Sequence, residues 1–244
     1  MIHVHHFSFN SFQTRCSVVW DDNGICAITD PGCESEAEVA RLMTFVAERG
    51  LKPCAIMLTH CHFDHIYGVS RLVEGFAAAE AGAERRSSLP VYMHKGEMFT
   101  IERTNPDVCG CYGLPLPDAS FAEGASFVGD GDVIEVGGLR FEVIETPGHS
   151  RGGLCFYERA YGVLFSGDTL FAGAIGRTDH PGGDYDQLMQ SIQKKLLPLD
   201  TPAEGGSERR GSVTVVPGHG PCTDLTTEGM TNPFLLPFNE PYED

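Results

Sequence analysis

Short apolar runs, each closed by glycine, proline, aspartate or histidine, alternate along the chain with stretches of helical spacing. Residues 15–20 and 25–29 read as two strands joined by Asp21-Asp22-Asn23-Gly24, whose Asn-Gly pair is a strong hairpin signal. Three early histidines, His3, His5 and His6, flank a first strand in this reading. Ser35 and Glu38 have the spacing of a capping box, and Val39, Leu42, Met43 and Val46 follow at helical intervals up to Gly50. Pro53 opens a strand that ends in Ala55-Ile56-Met57-Leu58, and a second helix is predicted from near His65, with Val69, Leu72 and Val73 inward.

Residues 77–88, rich in Ala, Glu, Arg and Ser, predict a solvated helix end and loop, and residues 91–93 a short strand. Residues 105–127 are rich in glycine, proline and acidic residues and predict a long loop, either a lid, a binding loop or a plain surface excursion. Strands resume at 133–136 and 139–145, and a hairpin covers 154–157 and 162–166. An amphipathic helix at 185–197, a polar loop at 201–212 and a last buried strand at 213–216 complete the pattern. There is no internal repeat and no linker, so residues 1–244 are expected to form a single domain. Two mixed runs of strands and helices fit packed sheets with helices outside, an α+β class.

Composition narrows the function. The hydrophobic fraction of 41% suffices for a sizeable core, and no stretch approaches the ~20 apolar residues of a membrane span. Seventeen basic against 34 acidic residues give a net charge of −17, which repels nucleic acid but leaves room for a small anionic substrate at a metal centre. The N-terminus lacks a basic and then apolar leader, so no signal peptide is expected. With nine cysteines and no paired spacing, free thiols in a reducing cytoplasm are the expectation. Cys109-Gly110-Cys111 alone is too weak a pattern for zinc.

The candidate chemistry sits after the strand at 55–58, in His60-Cys61-His62-Phe63-Asp64-His65. In an extended exit from a strand alternate side chains point the same way, so His60 and His62 can reach one ion together while Cys61 points elsewhere. Asp64 and His65 leave at another angle and can serve a second ion. Three later strands end in the same manner: 141–146 into Pro147-Gly148-His149, 163–166 into Gly167-Asp168, and 213–216 into Pro217-Gly218-His219-Gly220. Strand ends gathered at one sheet edge would aim His149, Asp168 and His219 into one cleft. Five histidines and two aspartates exceed the four ligands of one tetrahedral ion and suit two ions sharing a carboxylate. Imidazole-rich ligation fits zinc, iron, manganese or cobalt. His94 and His180 lack the strand-end glycine setting and read as ordinary core or turn residues.

These motifs resemble the metallo-β-lactamase superfamily: Thr59-His60-Cys61-His62-Phe63-Asp64-His65, Pro147-Gly148-His149-Ser150, Ser166-Gly167-Asp168-Thr169-Leu170-Phe171 and Pro217-Gly218-His219-Gly220-Pro221, in that order. The resemblance implies a four-layer αββα sandwich with the metals at one edge. It assigns His60, His62 and His149 to the first metal and Asp64, His65 and His219 to the second, with Asp168 bridging. More narrowly, Gly173-Ala174-Ile175-Gly176-Arg177-Thr178-Asp179, Pro181-Gly182-Gly183-Asp184 and Thr231-Asn232-Pro233-Phe234-Leu235 are similar to the short glyoxalase II-like group. That group implies hydrolysis of thioesters such as S-D-lactoylglutathione, a small-molecule substrate. The chain ends about ten residues after Asn232-Pro233-Phe234, so the glutathione-holding helical domain of the longer enzymes is expected to be absent.

The same resemblance implies a dinuclear site, zinc first with iron or manganese also compatible. On this resemblance a hydroxide supplied by the two metals would attack the thioester carbonyl, with Asp64 and Asp168 as the catalytic carboxylates. Arg177 is a candidate for a substrate carboxylate, its planar fork suiting one, or else part of a structural ion pair. A mononuclear-iron persulfide dioxygenase is the alternative, although those enzymes tend to carry alanine before the last histidine and aspartate after it, where this chain has Gly218 and Gly220. A non-catalytic metal-binding module would be expected to have lost ligands. Secreted β-lactamase and nuclease roles are disfavoured by the missing leader and the acidic charge.

Overall fold

Hydrogen bonding gathers most strands of this computed structural model into two six-stranded sheets. The structure describes residues 1–79, 89–200 and 212–236, so most of the predicted loops at 77–88 and 201–212 lie outside the described residues. The first sheet has the order β1 (His3–Phe9), β2 (Thr14–Trp20), β3 (Ile25–Thr29), β4 (Lys52–Met57), β5 (Val91–Met93), β6 (Ser126–Phe127). Helices α1 (Glu36–Glu48), α2 (Phe63–Ile66) and α3 (Val69–Ala79) fall between its strands in the chain. Ahead of β6 come α4 (Glu97–Phe99), a π-helical turn (Thr100–Thr104) and α5 (Asn105–Tyr112). The second sheet is built from β7 (Val133–Val136), β8 (Leu139–Glu145), β9 (Leu154–Glu158), β10 (Val163–Gly167), β13 (Thr214–Pro217) and β14 (Thr223–Asp224). A small hairpin of β11 (Leu170–Phe171) and β12 (Ala174–Ile175) follows β10, and helices α6 (Tyr185–Ser191) and α7 (Leu225–Thr231) belong to this half.

The two sheets face each other across Val19, Ala27 and Met57 on one side and Phe141, Phe156, Phe165 and Val216 on the other. Outside the first sheet, α1 and α3 bury Leu42, Val46, Val69 and Leu72 against Val18, Ile28 and Ile56. Outside the second, α6 buries Leu188, with Ile192 and Leu196 beyond it, against Tyr157, Leu164 and Val215. The result is the helix–sheet–sheet–helix sandwich. No helix among the described residues is long and apolar enough to cross a membrane.

Four expectations are corrected. His3, His5 and His6 lie within β1 rather than beside it. The second helix is split: a short turn, α2, precedes α3. The helix expected at 185–197 is α-helical only to Ser191 and continues as a π turn to Leu196. Part of the loop expected at 105–127 is helix, because Pro106 stands in the first turn, where its missing N–H costs nothing, and Gly113 closes the helix at φ 66°.

The capping box at α1 is complete. Ser35 Oγ accepts from Glu38 N at 3.2 Å and Glu38 Oε2 accepts from Ser35 N at 3.1 Å. Glu38 also takes the N–H of Asn10 at 2.9 Å, which ties the β1–β2 turn to the helix. Replacing Ser35 with Ala should cost about 1 kcal/mol in denaturant unfolding. An unchanged midpoint would mean that Glu38 holds this helix end without it.

Candidate metal centre

β8 and β10 each pair antiparallel with β9, and β10 pairs parallel with β13, so β8, β10 and β13 run in one direction. Their C-terminal ends therefore share an edge, and it is from these ends that His149, Asp168 and His219 emerge. The His-rich segment leaves β4 beside them. Glycine makes the close approach possible. A Cβ on Gly218 would lie 2.2 Å from Asp168 Oδ1 and 2.8 Å from His65 Cε1. At Gly148, φ 134° places any Cβ 2.2 Å from Leu188 N.

All seven predicted residues meet there. His60, His62 and His149 form one group, Asp64, His65 and His219 another, and His60, His65 and Asp168 a third, with the candidate ligand atoms of each group within 4.8 Å of one another. His62 Nδ1 is 2.8 Å from His149 Nε2, and His65 Nε2 is 3.2 Å from His219 Nε2. The Asp168 carboxylate faces both sides, 3.6 Å from His149 Nε2 and 3.4 Å from His65 and His219. Asp64 Oδ2 lies 3.5 Å from His65 and 3.4 Å from His219.

The donors fit cations. His60 Nε2, His62 Nε2 and Asp168 Oδ1 are buried without any hydrogen-bond partner, a costly state that a shared positive ion relieves. Burial pushes His60 and His62 well below the usual histidine range, which leaves their lone pairs free. Burial works against ionisation of Asp64 and Asp168, yet the adjacent His65 and His219 prevail. Asp64 is held at about 2 and Asp168 well below the carboxylate range. For His219, burial opposes the charge but hydrogen bonds to Asp168 and Asp64 raise it to about 9.

A second layer fixes the rings. His149 Nδ1 donates to the Arg177 carbonyl at 2.8 Å and His219 Nδ1 to the Phe12 carbonyl at 3.0 Å, which leaves each Nε2 unprotonated toward the cluster once the ring is neutral. Thr14 Oγ1 donates to Asp64 Oδ2 at 2.7 Å. Asn10 Nδ2 donates to the carbonyls of Asp64 and Gly32, both at 2.9 Å. Asp30 accepts from Thr59 N at 2.8 Å and Thr59 Oγ1 at 2.6 Å. Its other neighbour, His65 Nδ1, is 3.3 Å away, within ion-pairing reach but not aligned as a hydrogen bond.

Sequence reading missed Asp30, although β3 running into Asp30-Pro31-Gly32 repeats the strand-end form of the other motifs. Asn10 and Thr14 carry no local signal. His180, expected to be an ordinary turn residue, has its ring centroid 5.8 Å from that of His62. His94 pairs instead with Glu145 at 3.2 Å. The Arg177 side chain forks onto Asp179 at 2.7 and 2.8 Å. Aromatic rings edge the cluster: Phe12 meets Phe63 at 5.1 Å and Phe171 meets His219 at 6.3 Å between centroids. A separate apolar cavity of about 480 Å³, between α1, α3 and the start of β4, takes in none of these residues.

Known proteins resemble this chain. A family model described as the metallo-beta-lactamase superfamily matches residues 10–219. Hydroxyacylglutathione hydrolase GloC of Haemophilus influenzae is 36% identical over 225 residues, covering 92% of this chain and 94% of that protein. Among solved structures, the BLEG-1 B3 metallo-beta-lactamase superposes with a TM-score of 0.76 at 34% identity, over 96% of this chain and 99% of its own. TTHA1623 in a di-iron-bound form gives a TM-score of 0.73 at 34% identity, over 95% and 100%.

Two outcomes are expected of this cluster. Asp168→Ala should lower metal content at both groups, measured by elemental analysis after desalting, because its carboxylate faces each of them. A folded variant with undiminished metal content would remove Asp168 from the site. Metal uptake should also depend on pH. In the metal-free protein His219 keeps its proton up to about pH 9, and ligation must displace it. Zinc affinity of the Asp64–His65–His219 group should therefore fall as pH drops from 9 to 6, by about tenfold per unit for this one proton. A flat profile in competition titrations would show that His219 is not a ligand.

Proposed function

Because this chain belongs to the metallo-beta-lactamase superfamily, we propose that it is a dinuclear-metal hydrolase cleaving thioesters of the S-D-lactoylglutathione kind. The convergence of five imidazoles and two carboxylates around unpartnered lone pairs carries this reading. The substrate class is supported by the likeness to a protein named hydroxyacylglutathione hydrolase along nearly the full length of both chains. Zinc is the first candidate for the metals, and the di-iron form of a 34% identical protein supports iron as a competitor.

His60, His62 and His149 would hold one ion, Asp64, His65 and His219 the other, and Asp168 would lie between them. Two ions bound there supply Lewis acidity and an activated water near neutral pH. The side chains do the rest. Asp64, held ionised and gripped by Thr14, orients the attacking nucleophile. Asp168 keeps the two halves of the site in register. A thiolate leaves readily, its conjugate acid having a pKa of about 8.5, so a strong general acid is unnecessary. Arg177 binds a substrate carboxylate when it exchanges Asp179 for it. The substrate is a small molecule, without nucleic acid or membrane. The free state of all nine cysteines suits a reducing cytoplasm.

The test is hydrolysis of S-D-lactoylglutathione by metal-analysed protein, with oxygen uptake on glutathione persulfide and turnover of a β-lactam followed in parallel. Rapid thioester cleavage by a two-metal form without oxygen uptake is the expected result. Oxygen consumption by a one-iron form would replace the hydrolase with a persulfide dioxygenase, and preferential β-lactam cleavage would move the reading toward the BLEG-1 class. Arg177→Ala should raise KM about tenfold, the lower end for a charge-assisted contact because this side chain is half exposed, with kcat little changed. An unaltered KM would leave the Arg177–Asp179 pair as a structural feature.

A further inference from the structure

We propose that Glu97 and Asn105 are positioning residues that preset the His60–His62–His149 group. The inference rests on the reading that this group holds a metal ion, and neither residue belongs to the group. Glu97 is completely buried at the start of α4. A buried carboxylate is costly unless its oxygens are satisfied, and among the described residues no cation pairs with this one. Its two oxygens are taken by backbone N–H groups, Cys61 N on Oε2 at 2.7 Å and Gly152 N on Oε1 at 2.9 Å.

Those two donors come from the two loops that matter. Cys61 stands between His60 and His62, and Gly152 is three residues past His149. A single carboxylate therefore stitches together the segments that carry all three imidazoles. Glycine is required at the second contact, since a Cβ on Gly152 would lie 2.9 Å from Glu97 N and 3.0 Å from Glu97 Oε1.

Asn105 completes the clamp. Its Nδ2 donates to Cys61 O at 2.8 Å and its Oδ1 accepts from Phe63 N at 3.1 Å. Both backbone polar groups of Cys61, and the N–H that follows His62, are thus fixed by side chains from one helical segment. In an unbroken α-helix, residues eight apart are rotated by about 80° from each other. The intervening π turn at Thr100–Thr104 is wider and takes up part of that rotation, so Glu97 and Asn105 reach the same loop. A carboxylate accepts at both contacts, and an amide both donates and accepts, so each residue type matches the groups it meets.

Glu97→Gln keeps the size of the side chain but turns an NH2 toward one of the two N–H donors, breaking one side of the clamp. Cobalt and zinc titrations against a chelator should then show the affinity of the His60–His62–His149 group lowered about 10- to 100-fold, with the other group unchanged. The visible absorption of cobalt at the weakened site should shift. Asn105→Asp, which keeps the acceptor for Phe63 N and loses the donor to Cys61 O, should act in the same direction and carries the same test if Glu97→Gln does not fold. Ser35→Ala serves as the control that loses stability without altering the affinity of the His60–His62–His149 group. A Glu97→Gln protein with two wild-type affinities and a wild-type cobalt spectrum would overturn the inference alone, as would equal weakening of both groups. Wild-type protein that takes up no metal would overturn the metal reading together with it.

Discussion

Nitrogen and oxygen lone pairs crowded together in a buried space repel one another unless a positive charge sits among them. At this sheet edge His62 and His149 nitrogens approach to 2.8 Å and His65 and His219 nitrogens to 3.2 Å, with two carboxylates beside them. Without metal, protons supply part of the missing charge: against the effect of burial, Asp64 and Asp168 push both His65 and His219 above the usual histidine range. In the first group burial keeps His60 and His62 neutral, and the proton on an imidazole nitrogen bridges the His62 Nδ1 to His149 Nε2 contact. The cluster is thus a receptor for cations in which metal ions and protons compete, and the remainder of the fold must hold it together against its own repulsion.

The sandwich meets that demand through strand direction and stiffness. With β8, β10 and β13 all pointing to one edge, three donors project from strand ends whose positions are set by ladder hydrogen bonds and by the packed layer between the sheets. Of the donors after β4, His60 and His62 lie in a loop and Asp64 and His65 in the short α2, with no ladder of their own, and there side chains from other elements act as substitutes: Asp30 on Thr59, Glu97 and Asn105 around Cys61, Asn10 on the carbonyl of Asp64. The β1–β2 turn serves the second group through Asn10, Phe12 and Thr14, and is itself tied to α1 by Glu38. Rigidity of the donors is thereby passed to helices on the outer face of the first sheet.

This division explains how much of the molecule is legible in the sequence. Strand-end motifs are local: an apolar run, a glycine and a donor stand within a few positions, so the seven cluster residues and most strands are visible in the pattern. Asp30 stands in the same kind of motif, but its glycine, Gly32, comes two positions on rather than beside it. Thr14, Glu97 and Asn105 cannot be found this way, because their roles arise from partners 36 to 55 residues away. The helix at Asn105–Tyr112 is hidden by its composition: two of its eight residues are glycine or proline. His180 escapes for a related reason, since only the folded chain brings it beside His62.

The metal cluster alone does not choose a substrate, because one scaffold of this kind serves several chemistries. Under the proposed function selection would fall to the rim, where Phe12 and Phe171 edge the cluster and the segment from Arg177 to His180 carries charge. That segment is not independent of the cluster. The carbonyl of Arg177 holds His149 by its Nδ1 while the guanidinium of the same residue grips Asp179 two positions on. A substrate carboxylate of the kind proposed would draw the guanidinium away from Asp179 and so act on the residue that orients the His149 imidazole. Under the proposed function, recognition at the rim and the geometry of the cluster would be coupled through Arg177, whose carbonyl holds His149 and whose guanidinium holds Asp179.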